Sequence, residues 1–207
     1  MSTVLKQTYT LAEYNALEQA TGQRHEFYRN EVFAMAGGTG VHNDIAVNVT
    51  TLLRRLLRGK KCRPNALDMR LKIQATGLYT YPDVMITCDP IERVTELGIE
   101  SQLNPRVIFE VLSKSTEAYD RGEKFYQYQT IPSLEAYVLI SQSEARVDLF
   151  TRQAEGTWIL KSLSGLEANL DLVSLGIELP LLEIYADVEF PPPEPPPQLV
   201  ATERRPH

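Results

Sequence analysis

Two carboxylates in the sequence occupy positions that favour metal chemistry. Glu110 lies inside the run RVIFEVL, which predicts a buried strand over residues 106–112. A buried carboxylate is costly unless it is paired or bound to a cation. Asp83 follows Pro82 at the head of another predicted strand, residues 83–87. Two carboxylates from neighbouring strands form a hard oxygen site suited to Mg²⁺ or Mn²⁺, and the backbone carbonyl of Val111 is a candidate third ligand.

The same residues have a purely structural interpretation, in which Asp83 caps a turn and Glu110 pairs with an arginine. A second pattern bears on the choice. Asp120, Lys124 and Tyr128 recur every four residues in a helix predicted from about residue 117 to 130, so they share one face. The helix follows the Glu110 strand through a short turn, and Lys124 can then steady a phosphate or a hydroxide beside a metal. The alternative is an ordinary solvated Asp–Lys pair.

A local reversal of charge marks residues 54–72, where eight basic side chains face one acidic residue, Asp68. The whole chain carries 21 basic and 27 acidic side chains, a formal net charge of -6, so a polybasic protein that coats nucleic acid is excluded. The basic stretch indicates either a phosphate-backbone contact, beside a cleft in which Asp83, Glu110 and Lys124 are expected to converge, or a solvated helix face. Its members are Arg54, Arg55, Arg58, Lys60, Lys61, Arg63, Arg70 and Lys72.

Histidine and cysteine chemistry is poorly supported. His25 and His42 are the two interior histidines. His42, at the head of a helix, either contacts the site or a phosphate or, as we expect, faces solvent or caps that helix. Two histidines do not support a Ser-His-Asp or Cys-His set. Cys62 and Cys88 can pair, but without a secretion signal we expect free thiols, and no zinc motif is present.

The predicted elements alternate between helices and strands. A capping box, Thr10 to Glu13, opens a helix that ends by Gly22, and residues 24–35 predict a short hairpin. A long amphipathic helix follows over 41–58, then a half-buried strand over 67–74, then the strands and the helix that carry the acidic residues. Three further strands are predicted at 136–140, 145–150 and 157–162, and a helix-like segment at 172–185. This order predicts an α/β or α+β domain with a mixed sheet flanked by helices.

One folded domain over residues 1–190 is expected, because the proline run from residue 191 cannot continue a sheet and favours polyproline II. Residues 191–207 are then a stiff, otherwise disordered tail. The sequence contains no apolar run of about 20 residues and no signal-peptide pattern, which indicates a cytoplasmic protein without a membrane span.

Taken together, several of these motifs resemble the Uma-type restriction endonuclease family, which has the PD-(D/E)XK nuclease-like fold. The resemblance runs over roughly residues 8–187. It is carried by the segments YPDV at 81–84, FEVLS at 109–113, AYVL at 136–139 and HEF at 25–27, together with Asp120, Lys124 and Tyr128.

The resemblance implies an Mg²⁺- or Mn²⁺-dependent hydrolase of DNA phosphodiester bonds, with Asp83 and Glu110 holding the metal. It adds Glu26, which matches a further acidic position that completes the metal shell or orients water. One departure matters: the lysine expected two residues after the glutamate is Leu112 here. The family usually lacks that lysine too, and Lys124 is its natural substitute, with Lys72 the second candidate.

Two other classes of function compete with a nuclease. The substitution at Leu112, the acidic net charge and the lack of a recognisable target-recognition domain favour a catalytically weak protein that binds nucleic acid or regulates. A structural protein whose proline tail recruits a partner ranks below both. By fold-level analogy, a single-domain nuclease that cuts two strands acts as a homodimer.

Overall fold

The structure is a computed structural model that describes residues 7–35, 38–66 and 68–192. Within these residues the chain forms two six-stranded mixed sheets, a small hairpin and short helices, so the predicted α+β class is confirmed. The first sheet, which contains the Glu110 strand, has the order β12-β11-β10-β9-β6-β3. Its strands are β3 (Cys62–Ala66), β6 (Val84–Cys88), β9 (Pro105–Leu112), β10 (Ala136–Ser141), β11 (Arg146–Arg152) and β12 (Trp158–Ser164).

The second sheet has the order β2-β1-β5-β4-β8-β7. It packs against one face of the first sheet. Its strands are β1 (His25–Tyr28), β2 (Glu31–Ala34), β4 (Arg70–Ile73), β5 (Leu78–Thr80), β7 (Arg93–Glu96) and β8 (Ile99–Gln102). The small hairpin consists of β13 (Asn169–Leu172) and β14 (Ile177–Pro180). The α-helices are α1 (Leu11–Thr21), α2 (Gly40–Leu56), α3 (Glu117–Tyr119), α4 (Phe125–Gln129) and α5 (Leu181–Ile184).

Strand β9 is buried on both faces, and its alternation assigns each side chain to one of two cores. Val107, Phe109 and Val111 pack with α2, α5 and the small hairpin. Ile108 and Leu112 pack on the opposite face, against the second sheet and α4. Glu110 has the same parity as Ile108 and Leu112, so it enters the core on that face.

The crossover from β9 to its parallel neighbour β10 passes through residues 117–129. Here α3 and α4 are joined by a π-helical turn, Asp120–Lys124, which contains both charged residues of the predicted face. Phe125 and Tyr128 anchor the helix in the core beneath, and the ring of Phe125 stacks on that of Tyr137 with the ring centroids 5.1 Å apart. The helix therefore presents Asp120 and Lys124 over the strand that carries Glu110.

Local signals explain the two N-terminal helices. At α1, the side chain of Thr10 accepts from the backbone of Glu13 while Glu13 bonds back to Thr10, and Gly22 ends the helix with φ 66°. At α2, Thr39 caps the first turn. The buried face of this helix packs against the first sheet through Ile45, Val49, Leu52 and Leu53. Both helices and the 24–35 hairpin were predicted from these patterns.

Two expectations about local structure are wrong. Residues 172–185 are not mainly helical: β13, a 3₁₀ turn (Val173–Leu175), β14 and the four-residue α5 occupy this region. The buried residues there alternate with period two, and Gly176 takes a left-handed φ of 58° that ends the 3₁₀ turn. Strand β4 is not half-buried, because Arg70 is as buried as its apolar neighbours. The second sheet is covered on both faces, and Arg70 donates to Asn15 and Ser101 at 2.7 Å each.

The expectation of free thiols is also wrong, because Cys62 and Cys88 form a disulfide. The two residues lie directly opposite each other in the antiparallel pair β3–β6, a register that the sequence does not reveal. Strands β3 and β12 form the two edges of the first sheet, and β3 contains Pro64.

The predicted tail begins at residue 191, and its residues 193–207 lie outside the part of the chain that the structure describes. In that described part, the longest helix is α2, and no helix combines the length and apolarity needed to cross a bilayer.

The disulfide predicts a redox-dependent stability. It closes a loop with a sequence separation of 26 residues, so reduction is expected to cost about 3–4 kcal/mol of unfolding free energy by the chain-entropy relation. Thermal unfolding with and without dithiothreitol measures this loss. The Cys62→Ser/Cys88→Ser variant serves as control, since reductant has no bond to break there; equal melting temperatures for oxidised and reduced wild type would contradict the prediction.

Candidate active site

A cleft of about 1570 Å³ brings together the residues that the sequence singled out. It lies between the β1–β2 hairpin, the start of α2 and the loops that follow β9 and β10. Its walls include Glu26, Asp83, Glu110, Val111 and Lys124, so all five predicted site residues line one cavity.

Lys124 is the centre of the buried part of this cleft. Its Nζ lies 2.9 Å from Glu110 Oε1, 3.3 Å from Glu26 Oε1 and 3.4 Å from Asp120 Oδ1. The Lys124 side chain is only 6% exposed, and its three partners are 5–9% exposed. One ammonium is thus shared by three buried carboxyl groups, and the solvated Asp–Lys pair considered from the sequence does not describe this contact.

The second partner of Glu110 is the other residue of the predicted helix face. Tyr128 is fully buried, and its hydroxyl donates to Glu110 Oε1 at 2.7 Å. Both Tyr128 and Lys124 therefore bind Oε1, whereas Oε2 accepts a long bond of 3.4 Å from the backbone N–H of Asp83. The predicted alternative of an arginine partner for Glu110 is wrong, since the cation that meets it is Lys124.

Asp83 precedes β6 and lies beside the end of β9. Its Oδ2 accepts from the backbone N–H of Val111 at 2.7 Å, and its Oδ1 lies 2.9 Å from His42 Nε2. Both the Asp83 and His42 side chains are about one-fifth exposed, at 19% and 20%, so this pair faces the open part of the cleft. The Asp83 and Glu110 carboxylates are therefore neighbours, linked through the Asp83 backbone.

For His42, the sequence left a contact with the site as the less favoured of two interpretations. This residue was expected to face solvent or to cap a helix, but its ring turns to Asp83 while its backbone N–H donates to the Thr39 cap at 3.1 Å. The hydrogen bond to Asp83 raises the pKa of His42. No signal in the sequence links residues 42 and 83, which meet because α2 packs on the first sheet. The other interior histidine, His25, forms a hydrogen bond with the backbone carbonyl of Gln23 and does not line the cleft.

Glu26 is a further carboxylate in contact with Lys124, with its Oε1 3.3 Å from the ammonium. Thr80 donates to Glu26 Oε1 at 2.6 Å and Tyr119 donates to Oε2 at 2.7 Å, so both carboxylate oxygens already have partners. Lys72, the second candidate for the missing lysine, is elsewhere: its Nζ lies 2.6 Å from Glu96 Oε1 in the second sheet. Between the two candidate lysines, Lys124 is the one that contacts Glu110.

Excess negative charge dominates the electrostatics. Burial, together with repulsion from Asp83 and Asp120, raises the pKa of Glu110 to about 8 although Lys124 opposes that rise. Burial likewise raises the pKa of Asp120. Burial lowers the pKa of Lys124, but the surrounding negative groups, Glu110 first, outweigh it and raise the pKa well above its usual value. Lys124 therefore remains a cation, and a second cation beside Glu110 would lower the raised pKa of this carboxyl group.

The available donors fit Mg²⁺ or Mn²⁺ better than a metal that needs a complete protein cage. In the described ranges, no three acidic, histidine or cysteine side chains are arranged to hold a metal ion together, and the three carboxyl groups around Lys124 share that ammonium instead. Mg²⁺ is usually held by one or two carboxylates and completes its octahedron with water and substrate oxygens. Asp83, the Oε2 atom of Glu110 and the neighbouring backbone of Val111 supply that smaller set of oxygens.

The predicted basic stretch does not lie beside this cleft. None of its members lines the cavity. Arg54, Arg55 and Arg58 lie at or just after the C-terminal end of α2. Lys60, Lys61 and Arg63 lie at the end of β3 away from Asp83, and Arg70 and Lys72 belong to the second sheet, on β4. Among the side chains that line the cleft, eight are acidic, two are lysines and one is a histidine. They are Glu26, Asp83, Glu110, Glu117, Asp120, Glu123, Glu144, Glu189, Lys114, Lys124 and His42.

Comparison with known proteins agrees with this architecture. The Uma2 family, described as "Putative restriction endonuclease", matches residues 11–182. The chain belongs to the Uma2 family. Two relatives from Synechocystis sp. are named "Uncharacterized protein slr1290" and "Uncharacterized protein sll1609". The first is 35% identical over 86% of this chain and 92% of its own length, and the second 33% identical over 78% and 91%.

A solved structure supports the fold. It is the crystal structure of a protein from Anabaena variabilis titled a "putative nuclease belonging to DUF820". The match has a TM-score of 0.67 at 16% sequence identity and covers 85% of this chain and 97% of that one. At this identity the likeness establishes the nuclease-like fold, and the Uma2 membership stands on the sequence match.

Removal of Lys124 tests the charge cluster directly. Lys124→Met leaves buried carboxyl groups without their cation, so we expect a loss of about 3–5 kcal/mol in the free energy of unfolding, measured with urea. The loss should grow as pH rises through about 8, where Glu110 gives up its proton. Lys72→Met, which breaks a less buried ion pair, is the matched control and should cost less.

A double variant makes this test independent of the size of the single effect. Glu110→Gln/Lys124→Met removes both charges of the closest pair, so it should be more stable than the two single losses added together. Additive losses, or a Lys124→Met effect that does not change between pH 6 and 9, would show that Lys124 does not compensate these carboxylates.

Proposed function

We propose that this protein is a metal-dependent endonuclease that hydrolyses DNA phosphodiester bonds, with Mg²⁺ or Mn²⁺ held by Asp83, Glu110 and the backbone carbonyl of Val111. The observation that carries the proposal is the meeting of Asp83 and Glu110 beside the buried Lys124, whose Nζ is 2.9 Å from Glu110. Membership of the Uma2 family and the nuclease-like fold support the same reaction class.

Each residue has a distinct role in this proposal. Asp83 and Glu110 offer the anionic oxygens, and a bound divalent ion would supply Lewis acidity toward phosphate and a water of lowered pKa. Lys124 takes the place of the lysine that Leu112 does not provide, as a fixed positive charge beside the reacting phosphate. Glu26 positions Lys124, and His42 fixes the orientation of Asp83 through its hydrogen bond.

The acidic walls of the cleft favour a second candidate function. Eight acidic residues against two lysines repel a phosphate backbone unless cations intervene. In this alternative, the protein is a nuclease-fold module that is catalytically weak and binds nucleic acid or regulates. The two candidates differ in whether cleavage depends on Asp83.

Calorimetric titration with Mn²⁺ tests the metal site. Wild type is expected to bind with a saturable isotherm, and Glu110→Gln should weaken binding at least about tenfold, because the amide keeps the size of the side chain but loses its charge. Glu178→Gln, on the exposed face of β14, is the control and should match wild type. Absence of binding in folded wild type would rule out the proposed metal role of Asp83 and Glu110.

Cleavage of plasmid and linear DNA in Mn²⁺ tests the activity itself. Asp83→Ala is expected to lower the cleavage rate by on the order of 100-fold or more, since it removes one of the two metal carboxylates. Asp171→Asn, an exposed carboxylate on β13, should cleave like wild type. If wild type and Asp83→Ala behave alike on every substrate while both are folded, the non-catalytic alternative is the better account.

A further inference from the structure

A second cavity lies at the opposite end of α2 from the cleft. It has a volume of about 490 Å³ and shares no lining residue with the first. Helix α2 begins next to the cleft and runs 17 residues, or roughly 25 Å at 1.5 Å per residue, to the second cavity. We call this second space the arginine cavity, because its polar walls are Arg54, Arg55, Arg58 and Arg63.

Two of the four guanidinium groups keep their full charge available. At the rim, Arg55 pairs with Glu183, and Arg63 lies 3.5 Å from Asp89. Arg54 and Arg58 have no ion pair with any residue that the structure describes. Arg54 lies in the last turn of α2 and Arg58 in the turn that follows the helix, and both line the arginine cavity, so their like charges repel. An anion between them would remove this repulsion.

The backbone beneath the arginines is held from several sides. Leu53 and Leu57 are buried in the core under the last turn of α2. Lys60 Nζ donates to the carbonyls of Leu175 and Gly176 at 2.8 and 3.0 Å, which fixes the turn that follows. The Cys62–Cys88 disulfide ties β3 to β6 at the cavity wall. The arginines therefore project from a fixed base, which lowers the ordering cost of binding a ligand.

The chemistry of the cavity is that of phosphate recognition. Guanidinium groups bind phosphate oxygens through paired, charge-assisted hydrogen bonds, and 490 Å³ is enough for a phosphate group with part of a nucleotide. The cleft cannot supply this attraction, since acidic residues dominate its walls. The basic side chains at the end of α2 also complement the helix dipole, a role that needs no ligand and predicts no binding.

We propose that the arginine cavity is a phosphate-binding site, with Arg54 and Arg58 as its principal donors, and that it holds a phosphate of a nucleic-acid strand outside the cleft. The phosphate chemistry follows from the cavity alone, whereas the nucleic-acid source rests on the proposed function. Free phosphate is the other source of the same chemistry, and the experiment separates the two.

The test compares Arg54→Ala/Arg58→Ala with Arg93→Ala/Lys161→Ala, which removes two positive charges from other exposed surfaces. Binding of a labelled 20-nucleotide DNA, single- or double-stranded, is measured by fluorescence anisotropy in EDTA, so that cleavage and metal binding do not contribute. We expect the first variant to bind about tenfold more weakly. Its dependence of log K on log salt should be shallower by about 1.4 for single strands or 1.8 for duplex, and the control should show neither change.

A second arm measures the melting temperature in inorganic phosphate against chloride of equal ionic strength. A ligand that binds the folded state raises the melting temperature. Stabilisation of wild type and the control that is absent in Arg54→Ala/Arg58→Ala, with unchanged DNA affinity, identifies free phosphate as the source. If the two double variants behave alike in both arms, the arginines serve only the helix dipole and the proposal is wrong.

Failure of this inference is distinguishable from failure of the proposed function. DNA binding that depends on Arg54 and Arg58, with no cleavage by wild type in Mn²⁺, supports the arginine cavity and contradicts the nuclease. Cleavage that depends on Asp83, with both double variants binding DNA equally, supports the nuclease and contradicts the arginine cavity.

Discussion

The cleft depends on one buried ammonium. Lys124 is almost fully enclosed and meets Glu26, Glu110 and Asp120 within 3.4 Å. Removing three carboxyl groups from water is costly, and the attraction of a single central cation offsets that cost only if all four groups are held in place. Glu26 comes from the second sheet and Glu110 from the first sheet. Asp120 and Lys124 come from the helical crossover between β9 and β10. The two sheets and the helix are thus joined at this point by charge as well as by apolar packing.

The parts of this cluster that sequence reasoning predicted are those with local causes. Strand parity in RVIFEVL and helical spacing from Asp120 to Tyr128 depend on residues a few positions apart, and they were enough to bring Glu110 and Lys124 together. Glu26 came from the family resemblance alone, and the structure explains its presence through contacts with Thr80 and Tyr119.

The parts that could not be predicted arise from packing between distant segments. His42 reaches Asp83 only because α2 lies across the first sheet. The Cys62–Cys88 pair requires the register of β3 against β6. The buried Arg70 required knowledge that the second sheet is covered on both faces. The position of most of the basic stretch depends on where α2 ends and on the direction of β3, because both place their charges away from Asp83. Periodicity reports which face a residue occupies, but not which end of a sheet.

The two edges of the first sheet differ in their capacity to accept another strand. At the β3 edge, Pro64 lacks an N–H group, and the exposed Arg63 adds charge, both of which oppose strand addition. At the β12 edge no proline interrupts the strand, and Ile159 and Leu160 are 57% and 51% exposed. Edge-to-edge association, whether with an extended peptide or between copies of the chain, is therefore directed to β12. The cleft, which opens at the ends of the central strands, would remain accessible in such an assembly.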